Sequence, residues 1–337
     1  MIKTIFIFCI LATLTMALSN TKYHFEKPAH FPEALYDFRK NPLKPEIIEL
    51  GKRLFYDPIL SKDSTISCAS CHSPFNAFAH TDHDLSHGIR DQIGFRNAPA
   101  LFNLAWHSNF MWDGAVNHLD MQALAPISSH TEMDEDISNI CLKLSISDNY
   151  QKLFEKAFGD NNISGERVLK ALSQFQLSLV SAESKYDSVI RNLTIFTPQE
   201  KKGYELFLKH CNSCHSEPLF SNFQFADNGL QIDTTLNDFG RMKVTQNKTD
   251  SLKFKIPSLR NLQYSYPYMH DGRFKKLSEV LNHYVKGIEN RPGLAKELAK
   301  KIPLSSTEKV DLIAFLLTLN DKNFVFNKEH GLPKLDK

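Results

Sequence analysis

Apolar residues recur at helical spacing in several segments of the chain. Residues 165–190 carry an apolar stripe along one face, which predicts an amphipathic helix with a buried side. The residues of that stripe are Val168, Leu172, Phe175 and Leu179. Segments 49–55 and 203–207 have the same character, and each of them precedes a cysteine pair. We interpret these stripes as core positions of packed helices.

Two further helices have clear start signals. Thr197 and Glu200 have the spacing of a capping box, and Pro198 lies between them at the first helical position. Ser305 and Glu308 repeat the capping-box spacing before an apolar-rich closing segment. Helices are therefore predicted to begin at both places.

Length and composition narrow the class of protein. The 337 residues suit two domains of roughly 150 residues each. The chain is 42% hydrophobic and 23% charged, as in ordinary globular proteins. A net charge of +2 without a basic stripe argues against binding to nucleic acid.

The first residues have the pattern of an export signal. Lys3 supplies the charged start, residues 5–18 form the apolar stretch, and a small-residue cleavage site ends at Ser19. The apolar run is shorter than the roughly 20 residues of a membrane anchor. We therefore expect a mature protein that begins near Asn20 and resides in the periplasm.

The cysteines form two copies of one motif. Cys9 leaves with the signal, and Cys141 stands alone as a small apolar side chain. The other four cysteines each belong to a Cys-x-x-Cys-His unit. The first unit is Cys68, Cys71 and His72, and the second is Cys211, Cys214 and His215. No disulfide framework is left to build.

Cys-x-x-Cys-His is the attachment signature of c-type heme. The two thiols bind the heme vinyl groups, and the adjacent histidine ligates the iron. A thioredoxin-like motif lacks the trailing histidine, and a zinc ribbon would place both units close together in sequence. The pattern therefore predicts two covalently bound c-type hemes.

A second similarity follows each heme motif. Residues 97–114 align without gaps with residues 255–272, and both end in Asp-Gly. Duplication of a one-heme domain explains this pattern. Twelve residues past each glycine, Pro126 stands opposite Tyr284.

This difference predicts two unlike hemes. Proline offers no donor atom to iron, whereas a tyrosine phenolate can ligate heme, so the first heme would be open and the second closed. His283 and Met269 compete with Tyr284 as the second ligand. Tyr284 also continues an apolar helical stripe, so that a purely structural position stays open.

Two polar residues flank Pro126 and are candidate catalytic groups. Cleavage of peroxide needs a group that moves a proton between its oxygens, and the Glu132 carboxyl suits that task. Gln122 would hold the peroxide by hydrogen bonds. Glu132 also opens the acidic run 132–136, which has the alternative interpretation of a solvated helix start.

Together these residues resemble the bacterial di-heme cytochrome c peroxidases and their relative MauG, over about residues 42–320. The most specific segments are 67–72, 96–99, 111–114 and 267–272, together with Gln122 and Glu132. The resemblance implies a mainly α-helical protein of two cytochrome-c-like domains, each with one c-type heme. We place the signal peptide at 1–19, the peroxide-reactive domain at 20–190 and the electron-transfer domain at 191–337.

The resemblance also assigns roles to single residues. It implies that Glu132 and Gln122 are catalytic and that Trp112 relays electrons between the hemes. It implies one calcium ion at the domain junction, where the matching positions are Asn97, Ser265 and Pro267.

At the second heme the chain departs from the peroxidases, which have a methionine, and is similar to MauG, which has a tyrosine. Tyr284 stands at that position. A phenolate stabilises ferric and higher oxidation states, whereas methionine raises the heme potential. The resemblance also implies that a histidine can block the first heme before activation. Of His80, His83 and His87, His87 lies nearest the expected place, and the alternative is that these are solvated loop histidines.

The sequence thus predicts an oxidoreductase that reduces hydrogen peroxide at the N-terminal heme with electrons passed through the C-terminal heme. The alternatives are MauG-like oxidation of a protein substrate by high-valent hemes, and a non-catalytic di-heme electron carrier. The expected partner is a small cytochrome or cupredoxin, or a protein substrate. A homodimer is among the expected assemblies.

Overall fold

The computed structural model describes residues 25–333, so the predicted signal peptide and Cys9 lie outside the described residues. Helices and loops dominate the described chain, as expected for the mainly α-helical class. No helix in residues 25–333 is long and apolar enough to cross a membrane.

The first half of the described chain contains eight α-helices. They are α1 Pro45–Tyr56, α2 Cys68–Cys71, α3 Leu119–Gln122, α4 Leu124–Ser128, α5 Ile137–Ser145, α6 Asp148–Phe158, α7 Gly165–Ser178 and α8 Lys185–Ile190.

The second half contains five α-helices and a small sheet. The helices are α9 Pro198–His210, α10 Met242–Thr245, α11 Leu277–Asn282, α12 Ser306–Leu317 and α13 Lys322–Val325. Strands β1 Phe225–Ala226 and β2 Phe254–Lys255 pair antiparallel, with Phe225 opposite Lys255.

Both predicted capping boxes are present. The Thr197 hydroxyl accepts a hydrogen bond from the Glu200 backbone N–H, and the Ser305 hydroxyl accepts one from Glu308. Each glutamate side chain accepts in turn from the backbone N–H of its capping residue. Helices α9 and α12 therefore start where the sequence predicts.

The predicted helix over 165–190 is wrong in its extent, because the chain leaves the helix after Ser178. Leu179 has non-helical dihedral angles, with φ −82° and ψ 79°, and a new capping box at Ser184 starts α8. Partners from other segments bind the backbone between the two helices: the Ser181 N–H donates to the Asn103 side chain, and the Glu183 N–H donates to Asp321. These tertiary bonds replace the helical ones, so periodicity alone could not show the break.

A close helix crossing organises each half. Helix α1 packs on α7, and a Cβ on Gly51 would lie 1.8 Å from the Ala171 carbonyl oxygen. Helix α9 packs on α12, and a Cβ on Gly203 would lie 2.0 Å from the Asp311 carbonyl oxygen. Glycine is required at both crossings because any side chain would push the helices apart. Both helices that precede a heme motif share this device, in agreement with a duplicated domain.

Two apolar cores result from these crossings. Helices α1, α5, α6 and α7 contribute side chains to the larger core, and α9 and α12 contribute to the smaller one. Tyr186 of α8 belongs to the smaller core, while Phe324 and Val325 of α13 return to the larger one. The domain boundary at residues 190 and 191 stays a prediction.

A buried ion pair joins the two halves. The Arg260 guanidinium donates to both carboxylate oxygens of Asp187, at 2.8 and 2.7 Å, and both side chains are fully buried. His30 lies 2.7 Å from the same carboxylate. Burial by itself would raise the pKa of Asp187, but the hydrogen bonds and charge of Arg260 outweigh it and lower the pKa to about 2.

We expect Arg260→Met to lower the free energy of unfolding by about 3–5 kcal/mol, because the buried Asp187 carboxylate would lose its guanidinium partner and keep the His30 ring as its neighbouring basic group. Urea denaturation at pH 7 measures the change. A depressed pKa contributes stability above the unfolded value of about 4, and this contribution is lost as the pH falls towards 2. The difference in free energy of unfolding between wild type and Arg260→Met should therefore become smaller in acid. An equal difference at pH 7 and pH 3 would contradict the assignment.

Candidate heme sites

One continuous cavity of about 390 Å³ reaches both cysteine motifs. Its wall is mainly apolar and includes Cys71 and His72 at one end, and Cys211, Cys214 and His215 at the other. A long apolar cavity with a histidine and thiols at each end fits two covalently attached hemes.

The first motif lies on the short helix α2. Ser67 and Ser70 form a capping box at its start, which fixes the turn that carries Cys68 and Cys71. The Nδ1 atom of His72 lies 2.8 Å from the Phe78 carbonyl oxygen and donates to it. This bond leaves Nε2 unprotonated and available to a metal. Burial lowers the pKa of His72 to about 4, so the imidazole is neutral, as a ligand must be.

The second motif repeats this arrangement. The Nδ1 atom of His215 lies 3.1 Å from the Pro257 carbonyl oxygen and 3.3 Å from that of Phe220. Burial lowers the pKa of His215 to about 4. Both histidines therefore present Nε2 as the atom for iron.

Within residues 25–333, none of the four motif cysteines forms a disulfide. Burial raises the pKa of Cys68 and Cys211 to about 12. A redox-active Cys-x-x-Cys needs a depressed thiol pKa, and zinc needs thiolates. The environment argues against both alternatives and fits neutral thiols that form thioethers.

Glu132, Gln122 and Pro126 all line the cavity at the first motif. Burial raises the pKa of Glu132, and a hydrogen bond from Ser129 partly opposes this shift. The Gln122 amide lies 3.8 Å from the Met111 sulfur. The three residues therefore line the same cavity as the first motif, and their catalytic role stays a prediction.

The acidic run beginning at Glu132 serves two purposes. Asp136 caps α5 by accepting a hydrogen bond from Ser138 N–H at 2.7 Å, so the run does end in a helix start. Glu132 lies four residues earlier and contributes to the cavity wall instead. The two interpretations of the run therefore apply to different residues.

At the second motif, the three candidate ligands separate. Tyr284 and Met269 line the cavity, whereas His283 is buried outside its wall and contacts the Asn228 carbonyl oxygen at 3.1 Å. Tyr284 lies in a π-helical turn, His283–Gly287, that directly continues α11. Such turns shift the helical phase and are frequent at functional sites.

Burial raises the pKa of Tyr284 to about 12, although a hydrogen bond from Asn228 opposes the shift. The Asn228 amide also lies 3.5 Å from the Met269 sulfur. A phenolate at this place therefore needs a nearby positive charge, which ferric iron would provide. Tyr284 and Met269 both remain candidate ligands for the second heme.

Trp112 lines the cavity that reaches both motifs. Its indole N–H donates to the Asn97 carbonyl oxygen at 2.9 Å, and its own carbonyl oxygen accepts from the Lys255 N–H at 2.7 Å. The first bond fixes the indole, and the second ties the Trp112 backbone to the other half. The relay role stays a prediction.

The predicted calcium ligands Asn97, Ser265 and Pro267 line the same cavity. Their amide, hydroxyl and carbonyl oxygens are hard donors of the kind that calcium prefers. Within residues 25–333, no group of three or more histidine, cysteine or acidic side chains could hold a metal ion. The calcium site stays a prediction.

His87 does not line the cavity. Its ring stacks on His83 with the centroids 4.0 Å apart, and its carbonyl oxygen lies 3.5 Å from the Cys71 sulfur. In this conformation the imidazole does not block the first heme site.

Sequence reasoning assigned no role to several polar or polarisable side chains of the cavity wall, among them Lys255, His107 and Met111. The repeat held a signal for two of them, because Lys255 and Met111 occupy the positions of Asn97 and Met269 in the other copy. No such signal pointed to His107.

The comparisons with known proteins agree with this geometry. Residues 45–194 match the family model of the di-haem cytochrome c peroxidases. The chain is 38% identical over 314 residues to the methylamine utilization protein MauG of Methylorubrum extorquens, with 90% of this chain and 85% of that protein covered. It is 34% identical to the cytochrome c551 peroxidase of Nitrosomonas europaea, with 82% and 81% covered.

A crystal structure of a MauG-like protein associated with microbial copper homeostasis has the same fold. The TM-score is 0.81 at 29% identity, and the match covers 92% of this chain and 99% of that one. Fold, cavity and sequence agree, and the chain belongs to the family of di-heme cytochrome c peroxidases and MauG.

Proposed function

We propose that this peroxidase-type di-heme oxidoreductase reduces hydrogen peroxide at the site of Cys68, Cys71 and His72. The site of Cys211, Cys214 and His215 would pass on the electrons. The observation that carries the proposal is the asymmetry of the cavity wall. A partly buried carboxyl and an amide line the wall together with Pro126 in one half, whereas Tyr284 and Met269 line it in the other.

The residues of the first half can manage the protons of the reaction. Peroxide takes up two protons and two electrons and yields two molecules of water. His72 would hold a heme iron here, and that iron would supply the redox chemistry of peroxide reduction. The Glu132 carboxylate accepts a proton from one peroxide oxygen and returns it to the departing one, while the Gln122 amide orients the peroxide.

Trp112 offers the path between the two halves. Trp112 lines the cavity that reaches both sites, an indole there would shorten the gap that an electron must cross, and the hydrogen bond to Asn97 holds its orientation. The electrons come from a redox protein or from residues of a protein substrate, as the named relatives imply. A small cytochrome or cupredoxin is the donor that we propose.

Tyr284 favours a second candidate function. A phenolate ligand would stabilise oxidised states of the second heme, so that both hemes could share the oxidising equivalents of peroxide. The MauG-like alternative, oxidation of a protein substrate, rests on this residue. Calcium at Asn97, Ser265 and Pro267 and export to the periplasm complete the proposal.

The purified, fully ferric protein should react with hydrogen peroxide without any reductant. We expect immediate changes in the optical and near-infrared spectrum at both hemes if Tyr284 is a ligand. A reaction that begins only after one heme is reduced would support a reductively activated peroxidase instead. Absence of reaction in every oxidation state would contradict the proposed function.

A further inference from the structure

Lys255 is a cation in the wall of the cavity between the two heme sites. Its ammonium donates to the Asn109 carbonyl oxygen at 3.0 Å and lies 3.4 Å from Nδ1 of His107. Within residues 25–333 it has no carboxylate at ion-pair distance, which sets it apart from the two arginines of the same wall.

Those arginines are fully paired. Arg96 contacts Asp113 and Asp238, each at 2.7 Å, and Arg260 contacts Asp187. Burial lowers the pKa of Lys255 to about 8, although the charge of Asp113 opposes the shift, so the side chain is mostly protonated at pH 7. Arg96 already engages Asp113. Lys255 therefore retains a positive charge that no protein carboxylate in the described part of the chain compensates.

An uncompensated ammonium away from water is costly, so a protein that places one in a cavity usually presents it to an anion. The groups expected in this cavity are hemes, and each heme carries two propionate carboxylates. His107 is a second donor, because its Nδ1 accepts from Lys255 and its Nε2 then bears the proton. Burial foremost, and then the charge of Lys255, lower the pKa of His107 well below its usual value, which keeps the ring neutral.

We propose that Lys255, with His107 beside it, binds a heme propionate at the junction of the two sites and thereby raises the reduction potential of that heme. A positive charge beside a propionate favours the reduced heme, since reduction adds an electron. The same residue donates its backbone N–H to the Trp112 carbonyl oxygen at 2.7 Å. Lys255 is thus a positioning residue that links a heme carboxylate to the relay indole.

The proposal rests on the two hemes in this cavity, and not on the peroxide chemistry of Glu132. Its test is therefore the midpoint potential of each heme in the holoprotein, measured by spectroelectrochemistry at pH 7. We expect Lys255→Met to lower the midpoint potential of one heme. The ferrous-to-ferric ratio of that heme at a fixed applied potential should fall about tenfold, which corresponds to a shift of about 59 mV. Lys255→Arg, which keeps the charge, should stay close to wild type.

Lys253→Met is the matched control. Lys253 lies two residues away, contacts Asp250 at 3.1 Å and does not line the cavity, so both potentials should stay unchanged. Heme content is determined for every variant. If Lys255→Met fails to retain a heme, Lys255→Gln takes its place, because glutamine removes the charge but keeps a hydrogen-bond donor. The midpoint potential of Lys255→Gln must then fall as expected for Lys255→Met.

Unchanged potentials in Lys255→Met or Lys255→Gln would overturn the proposal, and so would an equal fall in Lys253→Met. If Lys255→Met lowers the midpoint potential as expected but the wild-type protein does not react with peroxide, only the proposed function is contradicted. The two hypotheses therefore fail by different measurements.

Discussion

Glu132→Gln should slow the reaction with hydrogen peroxide by about 10²–10⁴-fold, the usual contribution of a positioned general acid–base. Glutamine keeps the shape of the side chain but cannot accept a proton. Heme content and the spectra of the resting hemes should stay as in wild type. Stopped-flow mixing of the protein with peroxide measures the rate constant directly.

The pH dependence of wild type supplies a second measurement. Burial raises the pKa of Glu132 above the ordinary value of about 4.3. Because the carboxylate is the active form, the rate constant should fall as the pH drops through this raised pKa. The Gln variant should lack this acidic limb.

Asp134→Asn is the control for Glu132→Gln. Asp134 lies two residues away, and its carboxylate contacts the exposed side chains of His130 and Lys62 outside the cavity wall. Its φ of 48° is tolerated by asparagine, so the loop should keep its shape. If Asp134→Asn slowed the reaction as much, or if Glu132→Gln kept the wild-type rate, Glu132 would not be the proton shuttle.

Tyr284→Phe should change the spectrum of the second heme and raise its midpoint potential, while the first heme is unaffected. Loss of an anionic ligand removes the stabilisation of the ferric state. In the MauG-like alternative, the variant should also lose the spectral change of the second heme after peroxide is added. Optical spectra and spectroelectrochemical titration of the ferric holoprotein measure both effects.

Two further variants sharpen this experiment. Tyr266→Phe removes a half-exposed phenol that does not line the cavity, so it should resemble wild type. Met269→Leu tests the competing ligand. If the spectrum and potential of the second heme change in Met269→Leu but not in Tyr284→Phe, Met269 is the ligand of that heme. The MauG-like alternative would then lose its main support.

Local sequence determined where the hemes attach and where several helices begin. The two Cys-x-x-Cys-His units carry their own chemistry, and the capping boxes at Thr197 and Ser305 are satisfied within four residues. The repeat placed Pro126 opposite Tyr284, and both residues line the cavity in the two halves. These features depend on bonds between residues that are close along the chain, or on the register of a duplication.

Tertiary structure decided the features that depend on distant partners. The helix predicted over 165–190 ends at Ser178 because Asn103 and Asp321 bind the backbone that follows. The sequence alone could not separate His283 from Tyr284, since adjacent residues differ only in the direction that the π-helical turn gives them. Lys255 acquired its significance in the same way. Only the folded chain shows that Asp113, whose charge acts on Lys255, is already paired with Arg96, because these three residues come from segments apart in sequence.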